Sequence, residues 1–142
     1  MTRSKRGSRR RVGSRGLAFI GADSDEALRA AIAAGQDDHL WDIVHGLYEN
    51  QGAENSGWVT DELVTAIAAG VPGLDAERLL ETRWEQGIED EMERAPVATQ
   101  AAGVSGTPAF QLGATGGRLR LLEVTSLGPE GIVPVIEDRL AG

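Results

Sequence analysis

The sequence predicts an α/β fold in which a short strand, a series of helices, a β-hairpin and a closing helix follow one another. Three observations carry this reading. Residues 17–20 (Leu-Ala-Phe-Ile) form an apolar run ending at Gly21, the pattern of a short buried strand. From residue 24 to about 102 the apolar positions recur with a helical period, as in Leu40, Ile43, Val44, Leu47 and Tyr48 on one face. After residue 107 the pattern changes to two short runs, Pro-Ala-Phe-Gln-Leu at 108–112 and Arg-Leu-Arg-Leu-Leu at 118–122, separated by a glycine-rich turn.

Each helix has its own start and stop signals. Asp23 with Glu26 three residues on forms a D-x-x-E capping pattern for a helix over 24–34, which Gly35 stops. A second helix is expected over about 37–50, followed by a polar loop over 51–57. Thr60 can cap a third helix with Leu63, Val64 and Ile67 inward and Gly70 at its end. Val71-Pro72-Gly73 is a turn, and Asp75 opens a fourth, longer helix with Leu79, Leu80, Trp84, Ile88 and Met92 inward. Pro96 should end or kink that helix, because proline removes a backbone donor and crowds the preceding turn. A last helical turn follows over 97–102. The closing helix should cover 129–140, with Ile132, Val135, Ile136 and Leu140 inward.

Composition narrows the chemistry. The 142 residues contain no cysteine, which excludes disulfides, cysteine-ligated zinc and a thiol nucleophile within them. The two histidines, His39 and His45, are six apart and point in different directions on one helix, which argues against joint metal ligation. Asp37, Asp38 and Asp42 are the acidic residues expected in a helix's first turn. Ser56 and Ser105 have no G-x-S-x-G elbow, and neither Gly106 nor Gly116-Gly117 belongs to a phosphate-binding motif. No metal, cofactor or catalytic residue is therefore assigned. Arg3, Lys5, Arg6, Arg9, Arg10, Arg11 and Arg15 crowd into the first 15 residues, while the part from Gly16 onward holds seven basic and 22 acidic residues, a net charge of −15. Residues 1–16 read as a basic, disordered arm. Without an aromatic for stacking or an amphipathic period, the arm makes no strong case for nucleic acid or membrane. The basic start is not followed by an apolar stretch long enough for an export signal, and no run approaches the ~20 residues that span a bilayer.

The segment Gly103-Val104-Ser105-Gly106-Thr107-Pro108-Ala109-Phe110 resembles the cis-proline loop of thioredoxin-like proteins, placed after a helix and at the start of a hairpin. Leu40-Trp41, Leu47-Tyr48-Glu49-Asn50-Gln51-Gly52, Glu54-Asn55-Ser56-Gly57-Trp58-Val59-Thr60-Asp61 and Val71-Pro72-Gly73-Leu74-Asp75 resemble the helical insertion of bacterial DsbA-like proteins. The style is that of the actinobacterial, often membrane-anchored members, and the resemblance runs over 17–140. It implies a thiol–disulfide oxidoreductase family, exported or anchored at a membrane. It also implies a partial DsbA-like domain over 17–142, with the helical insertion at about 36–102. In such a loop the backbone of Thr107 would meet an extended peptide or unfolded protein, and Pro108 would hold the shape in the cis form.

The family's catalytic part is a C-x-x-C at a helix N-terminus, where the helix dipole stabilises a thiolate. No position here supplies one. The resemblance therefore implies an incomplete thioredoxin-like fold, missing the first strand and the C-x-x-C helix. That strand normally lies between those matching 17–20 and 109–112. A sheet limited largely to the 109–122 hairpin is expected, with 17–20 poorly anchored or rearranged and a strand edge left open. The sequence is read as a truncated, catalytically inactive remnant; the alternative is a redox-dead binding module or a chain completed by a partner's strand. Trp41, Trp58, Trp84 and Tyr48 would then line an apolar cleft near the loop, or simply pack the insertion.

Overall fold

The computed structural model describes residues 13–141. The expectation of a disordered basic arm falls, over 1–12, outside the described residues. The elements are α1 (Ala22–Gly35), α2 (Leu40–Glu49), α3 (Asp61–Ala69), α4 (Ala76–Thr82), α5 (Gln86–Ala101), β1 (Gln111–Leu112), β2 (Arg120–Leu121) and α6 (Pro129–Ala141). The chain divides into two compact units: Arg15–Val97 forms one, and the segment from Ala98 onward belongs to the other.

The first unit is a helical cluster. α1 packs on α2 and α4, and α3 packs on the same two helices. Ala30, Ala31, Ala33 and Ala34 form the buried face of α1, and such small side chains let neighbouring helices come close. Around them lie Ile43, Leu47, Val64, Ala68, Leu79 and Ile88. Gly46 marks where α2 crosses α3, because a Cβ there would collide with the Ile67 side chain.

Local sequence chemistry accounts for several helix ends. The Thr60 hydroxyl accepts a hydrogen bond from the Leu63 N–H at 3.2 Å, and the Asp75 carboxylate accepts from the Arg78 N–H at 3.0 Å. Both are caps that satisfy a donor left free at a helix start. Between these helices, the Leu74 N–H bonds the Val71 carbonyl at 3.2 Å across Pro72 and Gly73. Gly73 has φ of 86°, as the third residue of a type II turn requires.

Four expectations need correction. The first concerns α1, which begins at Ala22 with Gly21 at its cap, so Asp23 lies inside the first turn and does not cap it. Asp23 is buried and its carboxylate instead accepts the backbone N–H of Gly57 at 2.9 Å and of Val59 at 3.3 Å. Asn55, with φ of 52°, reciprocates: its Oδ1 accepts the Ala22 N–H at 3.2 Å. A long-range exchange has replaced the local capping box. It ties the 51–59 loop to the start of α1.

The second correction is that the long fourth helix is two helices, broken at 83–85. Leu79 and Ile88 are both buried, yet nine residues at 3.6 per turn make about two and a half turns, which would point them to opposite sides of one straight helix. The break turns both toward the same core. It also draws in Arg83, whose side chain is 4% exposed, to meet Glu26 of α1 and Asp61 of α3. Trp84, expected inward, is 53% exposed and lies against Arg83 and Arg29 at 5.2 and 5.0 Å from its ring centre. Arg29 in turn holds Asp25 and Glu89, each at 2.6 Å, and these carboxylates raise the guanidinium pKa above its ordinary value. A band of ion pairs around an indole thus joins α1, α3, α4 and α5.

Third, of the two outcomes expected at Pro96, an end or a kink, the helix does not end there, since α5 continues through it to Ala101. A single missing donor is tolerated there, and the division between the two units falls just past it. Fourth, residues 17–20 form no strand, and Phe19 and Ile20 are exposed.

In the second unit the sheet among the described residues is the two-stranded antiparallel hairpin alone. Gln111 faces Leu121 and Leu112 faces Arg120. The turn is closed by the Gly117 N–H on the Ala114 carbonyl at 2.8 Å, with Gly116 at φ of 79°. In α6, Ile132, Val135 and Ile136 are half-buried as expected, whereas Leu140 is exposed. Glu130 in its first turn accepts from its own backbone N–H and from the Ser126 hydroxyl, which lowers its pKa.

Candidate functional site

The hairpin's hydrogen-bonding pattern defines the site. The Leu122 N–H donates to the Phe110 carbonyl at 2.8 Å. In an antiparallel pair, residues that exchange hydrogen bonds alternate with residues that do not. Continuing the register, Phe110 and Leu112 point their backbone groups at β2, while Ala109 and Gln111 point theirs away from it. Ala109 and Gln111 are exposed, and no further strand lies beside them among the described residues. Every second residue therefore offers an N–H and a C=O to an open edge.

The loop leading into this edge carries the two residues singled out in the sequence. The Thr107-Pro108 bond is cis. Both residues are exposed, and no hydrogen bond to Thr107, Pro108 or Ala109 is formed among the described residues. Apart from the half-buried Phe110, residues 107–111 are thus exposed, with the outward backbone groups of Ala109 and Gln111 unspent. No side chain on this run is a thiol, and none carries charge.

The aromatic residues do not form one cleft. Trp41 and Tyr48 line a groove between α2 and α3, Trp84 lies in the arginine band, and Trp58 is half-buried against Gly52. Sequence periodicity places Tyr48 and Trp84 on apolar faces but cannot show that Arg29 and Arg83 draw Trp84 outward. Among the described residues no cluster of His, Asp or Glu is arranged to hold a metal ion. No helix among them is long and apolar enough to cross a membrane.

A helical insertion followed by an exposed cis-proline loop and a hairpin defines a thioredoxin-like fold with only part of its strand content. Comparison with known proteins gives the same class. The chain superposes on a thioredoxin-like oxidoreductase from Silicibacter pomeroyi DSS-3 with a TM-score of 0.63, covering 90% of this chain and 67% of that one at 20% identity. In sequence it is 28% identical over 93 residues to the "Probable disulfide bond formation protein D" of Bacillus cereus, 63% of this chain and 43% of that protein. The match thus spans less than half the length of that relative. No protein-family model matches the chain. In fold and in sequence, then, the chain is similar to a thioredoxin-like oxidoreductase and to a disulfide bond formation protein.

Proposed function

We propose that these residues hold an extended peptide along the edge from Thr107 to Gln111 and carry out no thiol–disulfide exchange. The observation behind the first part is the exposed, unpaired backbone of Thr107, Ala109 and Gln111. An extended peptide laid beside it would pair as an added strand, drawing its affinity from main-chain hydrogen bonds. The second part rests on the absence of cysteine. The printed name of the Bacillus cereus relative speaks of disulfide bond formation, and that chemistry begins with a thiolate attacking a disulfide sulfur. Serine and threonine form no exchangeable bond to sulfur, so a peptide held here is released unchanged.

Gln111→Pro separates the edge from the fold. The Gln111 N–H points away from β2, so proline there removes an outward donor while leaving the ladder to β2 in place. A fluorescein-labelled unfolded peptide should bind the wild-type chain weakly, with a Kd on the order of 1–10 mM, the scale set by about three or four backbone hydrogen bonds of about 1 kcal/mol each. Gln111→Pro should weaken this about tenfold with an unchanged circular dichroism spectrum. Neither form should accelerate insulin reduction by dithiothreitol. Equal binding by the two forms would refute the edge, and accelerated reduction would refute the redox silence.

A further inference from the structure

A second surface lies in the helical unit, on residues that the peptide edge does not use. Trp41 and Tyr48 are 55% and 71% exposed, although a large apolar ring normally seeks cover. They stand seven residues apart on α2, two turns along one face, with Val44 between them. Leu63 and Ile67 of α3 form the opposite wall. The result is an open groove of about 1080 Å³, at the upper end of the range for small-molecule cavities.

Charge identifies what fits it. Asp42, held by His39 at 2.8 Å, and Glu49, held by His45 at 3.2 Å, line the groove with the aromatics and with His45 itself, and neither lysine nor arginine does. Across Arg15–Val97 there are five basic and eighteen acidic residues, a net charge of −13. A second copy of this unit would bring the same sign against itself, which disfavours self-association at this face. A cationic segment meets the opposite condition. Its Arg or Lys heads would find the two carboxylates and the faces of Trp41 and Tyr48, to which cations are attracted by the ring quadrupole. Its apolar side chains would cover Val44, Leu63 and Ile67.

We propose that the α2–α3 groove, between Trp41 and Tyr48, docks a cationic amphipathic peptide segment of a partner protein. The mode is that of a helix laid in a groove, with apolar anchors three and four residues apart.

The probe is a synthetic 14-residue Leu/Lys amphipathic peptide titrated into the full chain, with a Leu/Glu peptide of the same pattern as control. The Leu/Lys peptide should bind saturably and the Leu/Glu peptide should not. Trp41→Ala combined with Tyr48→Ala leaves the net charge unchanged and removes the two anchors, so affinity should fall about tenfold or more, as for central aromatic residues of an interface. Asp42→Asn with Glu49→Gln, both on exposed positions, should weaken binding several-fold at low salt, whereas the off-groove Glu81→Gln should leave it unchanged. If the aromatic double variant binds like the wild type, attraction is diffuse and the groove is refuted. Absence of binding, equal binding of the acidic peptide, or a dimer that the aromatic variants dissociate would each refute it as well. These outcomes are independent of Gln111→Pro, which should not alter binding of the Leu/Lys peptide.

Discussion

Ile43→Ala is expected to destabilise the helical unit by about 2–5 kcal/mol, the range for removing most of a buried branched side chain. The reason it should fall in the upper part of that range is the composition of this core. Ile43, Ile88 and Val64 are its largest fully buried side chains, and much of the remainder is alanine. Alanine cannot rotate to fill a void, so the space vacated by Ile43 stays largely empty, and its lining loses contacts with nothing to replace them. Domains are stable by only about 5–15 kcal/mol, so this one change should remove roughly a quarter or more of the total. Urea unfolding followed by circular dichroism checks it through the transition midpoint. Ile43→Val, which keeps most of the volume, should cost about 1 kcal/mol.

Asp23→Ala should cost about 2–4 kcal/mol, and by a different route. The carboxylate receives two backbone donors, from Gly57 and Val59, and the Val59 residue is itself buried. Bonds to a charged acceptor contribute about 1.5–3 kcal/mol each, and a buried N–H left without a partner bears its full desolvation cost. The loss should be local before it is global. Amide hydrogen exchange at Gly57 and Val59 should speed up first, together with that of Ala22, whose N–H depends on Asn55 from the same loop. Asp23→Asn keeps one carbonyl acceptor and should cost about half as much. Unaltered exchange at both amides in Asp23→Ala would show that the loop is held by other means.

What was legible in the sequence was what local chemistry decides. Thr60 and Asp75 cap the helices they precede because the acceptor and the free N–H lie within three residues of each other. Val71-Pro72-Gly73 turns because proline and glycine suit consecutive positions of one turn type. The hairpin and its open edge follow from two short runs and a glycine-rich link. The failures at Asp23 and Trp84 are long-range. Asp23 carries the same D-x-x-E signal as a local cap, yet donors 34 and 36 residues away claim it. The break at 83–85 was written in the half-turn mismatch between Leu79 and Ile88, a conflict the 80–84–88 stripe concealed. Trp84 leaves the core because two arginines, each held by two carboxylates, give its ring a polar surface to lie on. Gly46 is the missed pointer to the α2–α3 crossing, since an isolated glycine within a helical period often marks a close approach.

The likenesses to the thioredoxin-like oxidoreductase and to the disulfide bond formation protein bear on the fold and the family. The peptide edge is a separate claim, because it predicts that main-chain atoms, not side chains, do the holding. Backbone methylation of the peptide tests this most directly. One series of peptides carries N-methyl groups at alternate residues facing the protein, and a second carries them one residue out of register. The in-register series should lose binding to the Thr107–Gln111 edge, while the out-of-register series, whose blocked donors face solvent, should bind within about a factor of three of the parent. Equal binding by both series would contradict strand addition at this edge.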